Sequence, residues 1–318
     1  MKRLMTLGLC GLLAACVESG DDGTLREPAT ASTIKYVFVI AMENHDATQI
    51  YGNPDAPYIN NTLLPAYGHA LAFHDELPTG LPSEPHYVWM EAGTNAFADH
   101  TFTTDLPPGW FGNTTGSTAH LATQLTNAGV PWMSYQEDLN AMTGACPIND
   151  WWWYAAKHDP FVFFKDVSGA TPSTSNAYCA AHHRPLTALA GDLASGAVAS
   201  YAFITPNLCH DMHGAWFCPD SNGVRAGDAW LRDNLPPLIA FANAHHGVIF
   251  VTWDEGEGTS TMPFLAIGPG VKAGFASSDT LDHGSLLKAT EQIFGLPILP
   301  TVQSSTDLGG FFAANQYP

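Results

Sequence analysis

The chain has 318 residues, 46% of them apolar and 13% charged, which excludes a disordered or coiled-coil protein and leaves ample length for a sizeable core. A formal charge of −19, from 30 acidic and 11 basic side chains, excludes tracking of a nucleic-acid backbone, which needs Lys and Arg to displace counterions; no nucleic-acid partner is expected. The same acidity repels anionic substrates unless the site carries positive charge of its own, and a bound divalent cation would supply it.

Lys2 and Arg3 precede an apolar run, Leu4 to Leu13, too short to span a bilayer and of the right shape for a signal peptide. Its end, "LAAC" at Leu13 to Cys16, resembles the lipobox of bacterial lipoproteins. Residues 1–16 are therefore expected to be a signal peptide with a lipobox, the alternative being an ordinary signal peptide cleaved nearby. The first reading exports the protein to the bacterial cell envelope (periplasm or outer surface), held to a membrane by a lipid anchor on Cys16. Residues 17–32 are a polar tether without apolar periodicity, and residues 33–318 form one domain.

Within that domain, near-continuous apolar runs predict strands at 33–42, 130–135, 200–205, 247–253 and 263–268. Helical patterns lie between them, at about 84–95, 117–128, 184–195, 226–245 and 284–294. Gly129 and Gly247 stand where the second and fourth should stop. The alternation predicts an α/β three-layer sandwich with a central, mostly parallel sheet, in which ligands collect outside the carboxyl ends of the strands. Segments 97–117 and 138–183 break the alternation and read as loop insertions over the active edge. The run Trp151-Trp152-Trp153 either packs one of them down, the commoner use, or grips an apolar substrate or membrane. With Cys10 in the leader and Cys16 lipidated, four cysteines remain for two disulfides in an exported protein. Three connectivities are open, the nearest pairing being Cys209–Cys218 with Cys146–Cys179.

Two apolar runs end abruptly in polar residues: Tyr36 to Met42 in Glu43-Asn44-His45-Asp46, and Val248 to Trp253 in Asp254-Glu255. Either could be a soluble turn. Together they bring oxygen donors to one sheet edge, and clustered carboxylates repel unless a proton or cation sits among them. All-oxygen ligands suit one divalent ion of the Ca²⁺, Mg²⁺ or Mn²⁺ type rather than Zn²⁺. In "TGLPSEPHYVWMEAG", Thr79 to Gly93, a turn leads through Ser83 into a helix. Ser83 there is either an ordinary N-cap or a nucleophile at a helix N-terminus, where free N–H groups favour a phosphate.

The stretches "VIAMENHDATQIYG", "PSEPHYVWMEAG", "YAAKHDPFVFF", "TPNLCHDMHG", "GDAWL", "VTWDEGEG" and "DHGSLLKATEQIFGLP" are collinear over roughly residues 34–297. They resemble the phosphoesterase family of bacterial acid phosphatases and phosphatidylcholine-type phospholipases C, in the alkaline phosphatase superfamily. The resemblance implies an alkaline-phosphatase-like fold for residues 33–318 and a metal-dependent phosphoric ester hydrolase. It implies a metal held by Glu43, Asn44, Asp254 and Glu255, with Ser83 completing the shell as the nucleophile that becomes phosphorylated. His158 and His213 match family histidines that bind phosphoryl oxygens and pass a proton to the leaving group. His210 and Asp211 are either supporting residues or plain loop, and His283 either caps its helix with Asp282 or approaches the site. His45, His86, His182, His183, His245 and His246 receive no role. Where two-metal relatives place Asp-His, this chain has Asp254-Glu255, which favours a single ion. The implied substrate is a phosphate ester, small molecule or lipid headgroup: a phosphomonoesterase first, a phospholipase C-type phosphodiesterase second, and a non-catalytic metal-binding envelope lipoprotein third. A sulfatase is set aside, because Tyr87 stands where its signature needs Arg.

Overall fold

The computed structural model describes residues 33–318 apart from Thr79, Phe111, Thr259 and Ser260; the leader and tether expected over residues 1–32 lie outside them. In chain order the strands are β1 (Tyr36–Met42), β2 (Gly68–Ala70), β3 (Phe73–His74), β4 (Trp132–Gln136), β5 (His183–Pro185) and β6 (Tyr201–Thr205), followed by β7 (Gly247–Trp253), β8 (Thr261–Met262), β9 (Phe264–Ile267), β10 (Ala276–Ser277) and β11 (Leu281–Asp282). Eight of these make one sheet in the order β10-β2-β9-β7-β1-β6-β4-β5, and β11-β3-β8 make a small second one.

The centre, β7-β1-β6-β4-β5, is parallel throughout. Val37 to Met42 and the whole of β7 are buried, which is why both read as unbroken apolar runs. Strand β9 is where 263–268 predicted it but runs antiparallel to β7 and β2, so the sheet is mixed. Only residues 254–263 join β7 to β9, fewer than the dozen or so that a parallel crossover needs.

Helices cover both faces. Val39 pairs with Phe203, so the two side chains share a face, and neighbouring Phe38 points to the other. Phe38 meets Phe241 of the Gly223–His245 helix at 6.0 Å, whereas Phe203 meets Tyr87 of the Ser83–Ala92 helix at 6.3 Å. Those contacts make three layers.

Element boundaries differ from expectation in three places. The 184–195 pattern is helical only over Leu189–Ser195, because His183–Pro185 first pairs with Ser134–Gln136 as an edge strand, where Pro is tolerated. The 117–128 helix starts at Leu121. The Gly223–His245 helix ends on His246, not Gly247: His246 takes the left-handed cap position at φ 59°, and Gly247 opens β7. Both disulfides follow the nearest pairing, Cys146–Cys179 and Cys209–Cys218. In the second insertion Phe161 to Phe164 are buried, while Trp151 and Trp152 are exposed rather than packed down.

Candidate active site

Strands β1 and β7 lie in register with Met42 opposite Trp253, and the Asp254 N–H continues the ladder by donating to the Met42 carbonyl at 3.0 Å. Glu43 and Asp254 thus leave adjacent strands at one level, with backbones about 5 Å apart as neighbouring strands must be. Asn44 turns the chain in the left-handed region at φ 40°. Its N–H then donates to Asp254 Oδ1 at 3.0 Å, and its Nδ2 to Glu255 Oε1 at 3.3 Å. The four residues read as one ligand set are gathered at one edge.

Ser83 joins them. Its Oγ donates to Glu43 Oε2 at 2.9 Å, so its hydroxyl is not used as a helix cap. The N-cap position belongs to Pro82, and Asp105, from the first insertion, accepts the Glu84 N–H at 3.0 Å instead. The expectation of Ser83 as N-cap is corrected accordingly: it is the first helical residue, and a distant carboxylate does the capping. His158 Nε2 sits 3.0 Å from Glu43 Oε1, its ring stacked on Tyr87 at 5.0 Å between centroids.

Three more residues complete the surroundings: Asp105 and Lys157, which the sequence did not single out, and Asp211, which it left between supporting residue and plain loop. Lys157 Nζ lies 3.5 Å from Ser83 Oγ and donates to Asp105 Oδ2 at 2.8 Å. Asp211 is fully buried; its carbonyl accepts the Glu43 N–H at 2.8 Å and its Oδ2 is 3.9 Å from His158 Nδ1. The Asp211 loop is clamped by Gly223, where a Cβ would sit 2.0 Å from the Met212 carbonyl oxygen. Asp211, not His213, is the member of "HDMHG" packed into the cluster. His213 donates its backbone N–H to Asp211 Oδ1 at 3.0 Å, but its side chain is exposed and lines a shallow cavity with Trp216 and Ser221. His210 pairs with Glu137 at 3.0 Å. His283 is buried: it follows the true cap Asp282, lies 3.2 Å from Glu76 and hydrogen-bonds the Trp253 carbonyl at 2.8 Å, supporting the strand end beneath Asp254. Lys157 directly precedes His158 in "KHDPF", a signal that was there to read.

The electrostatics show an excess of buried negative charge. Burial opposes ionisation of Glu43, yet His158 and Lys157 hold its carboxyl down at about 2. Burial, and then the Glu43 charge, push Asp254 and Asp211 well above the carboxylate range. Burial also lifts Glu255 to about 7, with His86 acting against it and Glu43 and Asp75 adding to it. Burial disfavours the Lys157 ammonium, but Glu43 and Asp105 raise it above its usual range. Among the described residues, Glu43 Oε1, Asn44 Oδ1, Asp211 Oδ2 and Asp254 Oδ2 are buried without a hydrogen bond. Native proteins rarely strand polar atoms this way unless an unseen partner completes them. Oxygen donors from Glu43, Asn44, Ser83 and Asp254 fit a divalent cation. Beside them, Asp75, His86 and Glu255 each offer a ligand atom, all within 4.8 Å of one another.

A model described as the Phosphoesterase family matches residues 62–297. A phosphatidylinositol-3-phosphatase of Mycobacterium tuberculosis is 30% identical over 298 residues, spanning 92% of this chain and 88% of that protein. A probable acid phosphatase of Kluyveromyces lactis is 23% identical, over 84% of this chain and 60% of its own length. Among solved structures, a protein of the alkaline phosphatase superfamily from Vibrio parahaemolyticus superposes with a TM-score of 0.54 at 11% identity, over 86% of this chain and 69% of that one, a likeness of fold.

Proposed function

Since the chain belongs to the phosphoesterase family and is a phosphoric ester hydrolase, we propose that it is a phosphomonoesterase of the acid-phosphatase kind, metal-dependent, with Ser83 as nucleophile and a phosphoseryl intermediate. The observation that carries this reading is the Ser83 Oγ–Glu43 Oε2 contact of 2.9 Å at a helix N-terminus, among buried oxygens that lack hydrogen bonds. Glu43, Asn44, Asp254 and Glu255 would hold the ion, with Ser83. When bound, a divalent ion there would acidify the Ser83 hydroxyl and offset phosphate charge.

The chain's own residues do the rest. The phosphoryl group sits at the opening of the Ser83–Ala92 helix, where Pro82 and Pro85 carry no N–H and Asp105 takes that of Glu84, so the Ser83 N–H and Lys157, 3.5 Å from Ser83 Oγ, attract its oxygens. Ser83 Oγ bonds to phosphorus as the ester P–O bond breaks. The Ser83 proton is already directed at Glu43, whose other oxygen lies 3.0 Å from His158, giving a path to the departing alkoxide, which leaves as the alcohol. Water then attacks phosphorus, the Oγ–P bond breaks, the proton returns to Ser83 and inorganic phosphate leaves. The exposed His213, whose backbone N–H is held by Asp211, is assigned to outer phosphoryl oxygens. Acid-quenching the enzyme during turnover of p-nitrophenyl phosphate and mapping peptides by mass tests this. Phosphate on Ser83 is expected; a burst of product with unmodified Ser83 would sink it.

One observation favours a second reading, a phospholipase C-type phosphodiesterase on lipid headgroups: Trp152 is 81% exposed and Trp216, beside His213, 95% exposed. Hydrolysis of bis-p-nitrophenyl phosphate and phosphatidylcholine in preference to the monoester would favour it. The two disulfides support an oxidising compartment, in keeping with the proposed exported envelope lipoprotein, lipid-anchored on Cys16. Radiolabelled palmitate incorporation, lost in Cys16→Ala, tests the anchor.

A further inference from the structure

We propose that Asp75, His86 and Glu255 form a second divalent-cation site, abutting the first and sharing Glu255 with it. The residues arrive from three directions. Asp75 follows β3, His86 lies one turn into the Ser83–Ala92 helix on the side that also carries Ser83, and Glu255 follows β7. Their ligand atoms already fall within 4.8 Å of one another.

The decisive feature is His86. Its side chain is 1% exposed, and neither ring nitrogen makes a hydrogen bond among the described residues. Nδ1 lies 3.1 Å from Asp75 Oδ1, misaligned for N–H donation, and Nε2 lies 3.6 Å from Glu255 Oε2, too far for a hydrogen bond. A buried imidazole serving only to bridge two carboxylates would aim its N–H groups at them. One whose nitrogens make no such bond, with a carboxylate oxygen close to each, is free to offer one nitrogen's lone pair to a metal held by the same carboxylates.

Glu255 divides its two oxygens. Oε1 accepts from Asn44 on the side of the first centre, and Oε2 faces His86. A carboxylate so placed bridges two ions. The Asp75 and Glu255 side chains keep 8% and 12% exposure, which leaves a path for an ion from solvent. A mixed nitrogen and oxygen donor set favours a borderline ion, Zn²⁺ or Mn²⁺, whereas the all-oxygen first centre suits harder ions. The second site depends on the reading of the first only through Glu255; Asp75 and His86 belong to it alone.

Metal content tests this on the full exported chain, stripped with chelator and dialysed against Zn²⁺ or Mn²⁺. Wild type is expected to bind about two ions per chain, with ligand loss costing one of them. His86→Ala and Asp75→Asn should each drop to about one, as should Glu43→Gln, which leaves the second site intact. In the Mn²⁺ protein, exchange-coupled lines in the electron paramagnetic resonance spectrum should vanish in His86→Ala. Circular dichroism checks folding, with the near-isosteric Asp75→Asn and His86→Gln as safeguards. One ion in wild type, or an unchanged content in both Asp75 and His86 variants, overturns the proposal. Loss in His86→Ala with none in Glu43→Gln would overturn the first centre instead and leave this one standing.

Discussion

The Ser83–Ala92 helix carries a buried cluster of carboxylates and histidines at each end, and the two are finished differently. At its carboxyl end Glu91 Oε1 accepts the Ala122 N–H at 2.6 Å and lies 3.0 Å from His120 Nδ1, whose Nε2 meets Asp166 at 3.1 Å. His120 stacks on Phe164 at 3.9 Å. Burial disfavours the His120 cation, but Asp166 and Glu91 raise its pKa above the ordinary value. That cluster supplies its own counter-charge. At the amino end the cations among Glu43, Asp211, Asp254 and Glu255 are too few, and several oxygens are left without hydrogen bonds. A completed network holds elements together; an incomplete one is shaped for something that arrives.

The largest contrast should come from Ser83→Ala. Removing the nucleophile is expected to lower kcat by about 10³–10⁴-fold or more, with the melting temperature nearly unchanged. Steady-state kinetics beside a thermal melt checks both, and retention of full activity would end the assignment of Ser83. The mirror experiment is His120→Ala, which strands Glu91 in the interior. It should cost about 3–5 kcal/mol in urea unfolding while turnover per folded molecule stays near wild type. Should His120→Ala instead abolish turnover in folded protein, the two clusters would not be separable in this way.

Lys157→Met sharpens the amino-end picture. Lys157 is the ammonium nearest Ser83, at 3.5 Å, and its removal should reduce kcat/KM by about 10²-fold. A smaller effect moves the opposite way. Asp254→Asn removes a buried carboxylate crowded by Glu43 and Glu255, so the chelator-treated variant should melt higher than chelator-treated wild type by about 1–2 kcal/mol equivalent, while metal uptake falls. Lower stability in the stripped variant would mean the site is not short of positive charge.

Much of this contrast was legible before any coordinates. Parallel strands buried on both faces read as unbroken apolar runs, so the ends of β1 and β7, and with them Glu43, Asn44, Asp254 and Glu255, stand out in one dimension. Ser83 stood out because a Gly-Pro turn announces the helix it opens. Asp105, Asp75 and His86 did not, and Asp211 was left between supporting residue and plain loop. Each sits in a loop or on a helix face whose partner is set by tertiary packing: Asp105 caps a helix that begins 22 residues before it, judged by Ser83 as first residue, and Asp211 is delivered by a loop pressed against Gly223. The reversal of β9 was likewise invisible to apolar patterning, which registers burial but not direction; connection length carried that information. His213 looked stronger than Asp211 because a histidine advertises chemistry, yet only packing decides which of two neighbours faces inward.

The smallest predicted effect tests a buried carboxyl beside the completed cluster. Glu291, in the His283–Ile293 helix, accepts the Leu299 N–H at 3.0 Å through Oε1, but its Oε2 has no hydrogen bond among the described residues. Burial lifts its carboxyl to about 7, the Leu299 bond works against the rise, and the nearby Glu91 adds to it. A carboxyl whose folded pKa lies above the unfolded value of about 4.3 contributes its full stability below that value. The contribution is lost as pH climbs through about 7, where the folded form must give up its proton. Wild type should therefore lose stability between pH 4.5 and 7.5 from this group, on the order of 1 kcal/mol after discounting for solvent screening. Glu291→Gln mimics the protonated form at every pH, so urea midpoints for the variant should vary less over that interval and match wild type at its acid end. If instead the variant is less stable than wild type at pH 7.5, the carboxylate is held by a cation that the Glu91–His120–Asp166 network shares with it, and the two ends of the helix differ less than their geometry implies.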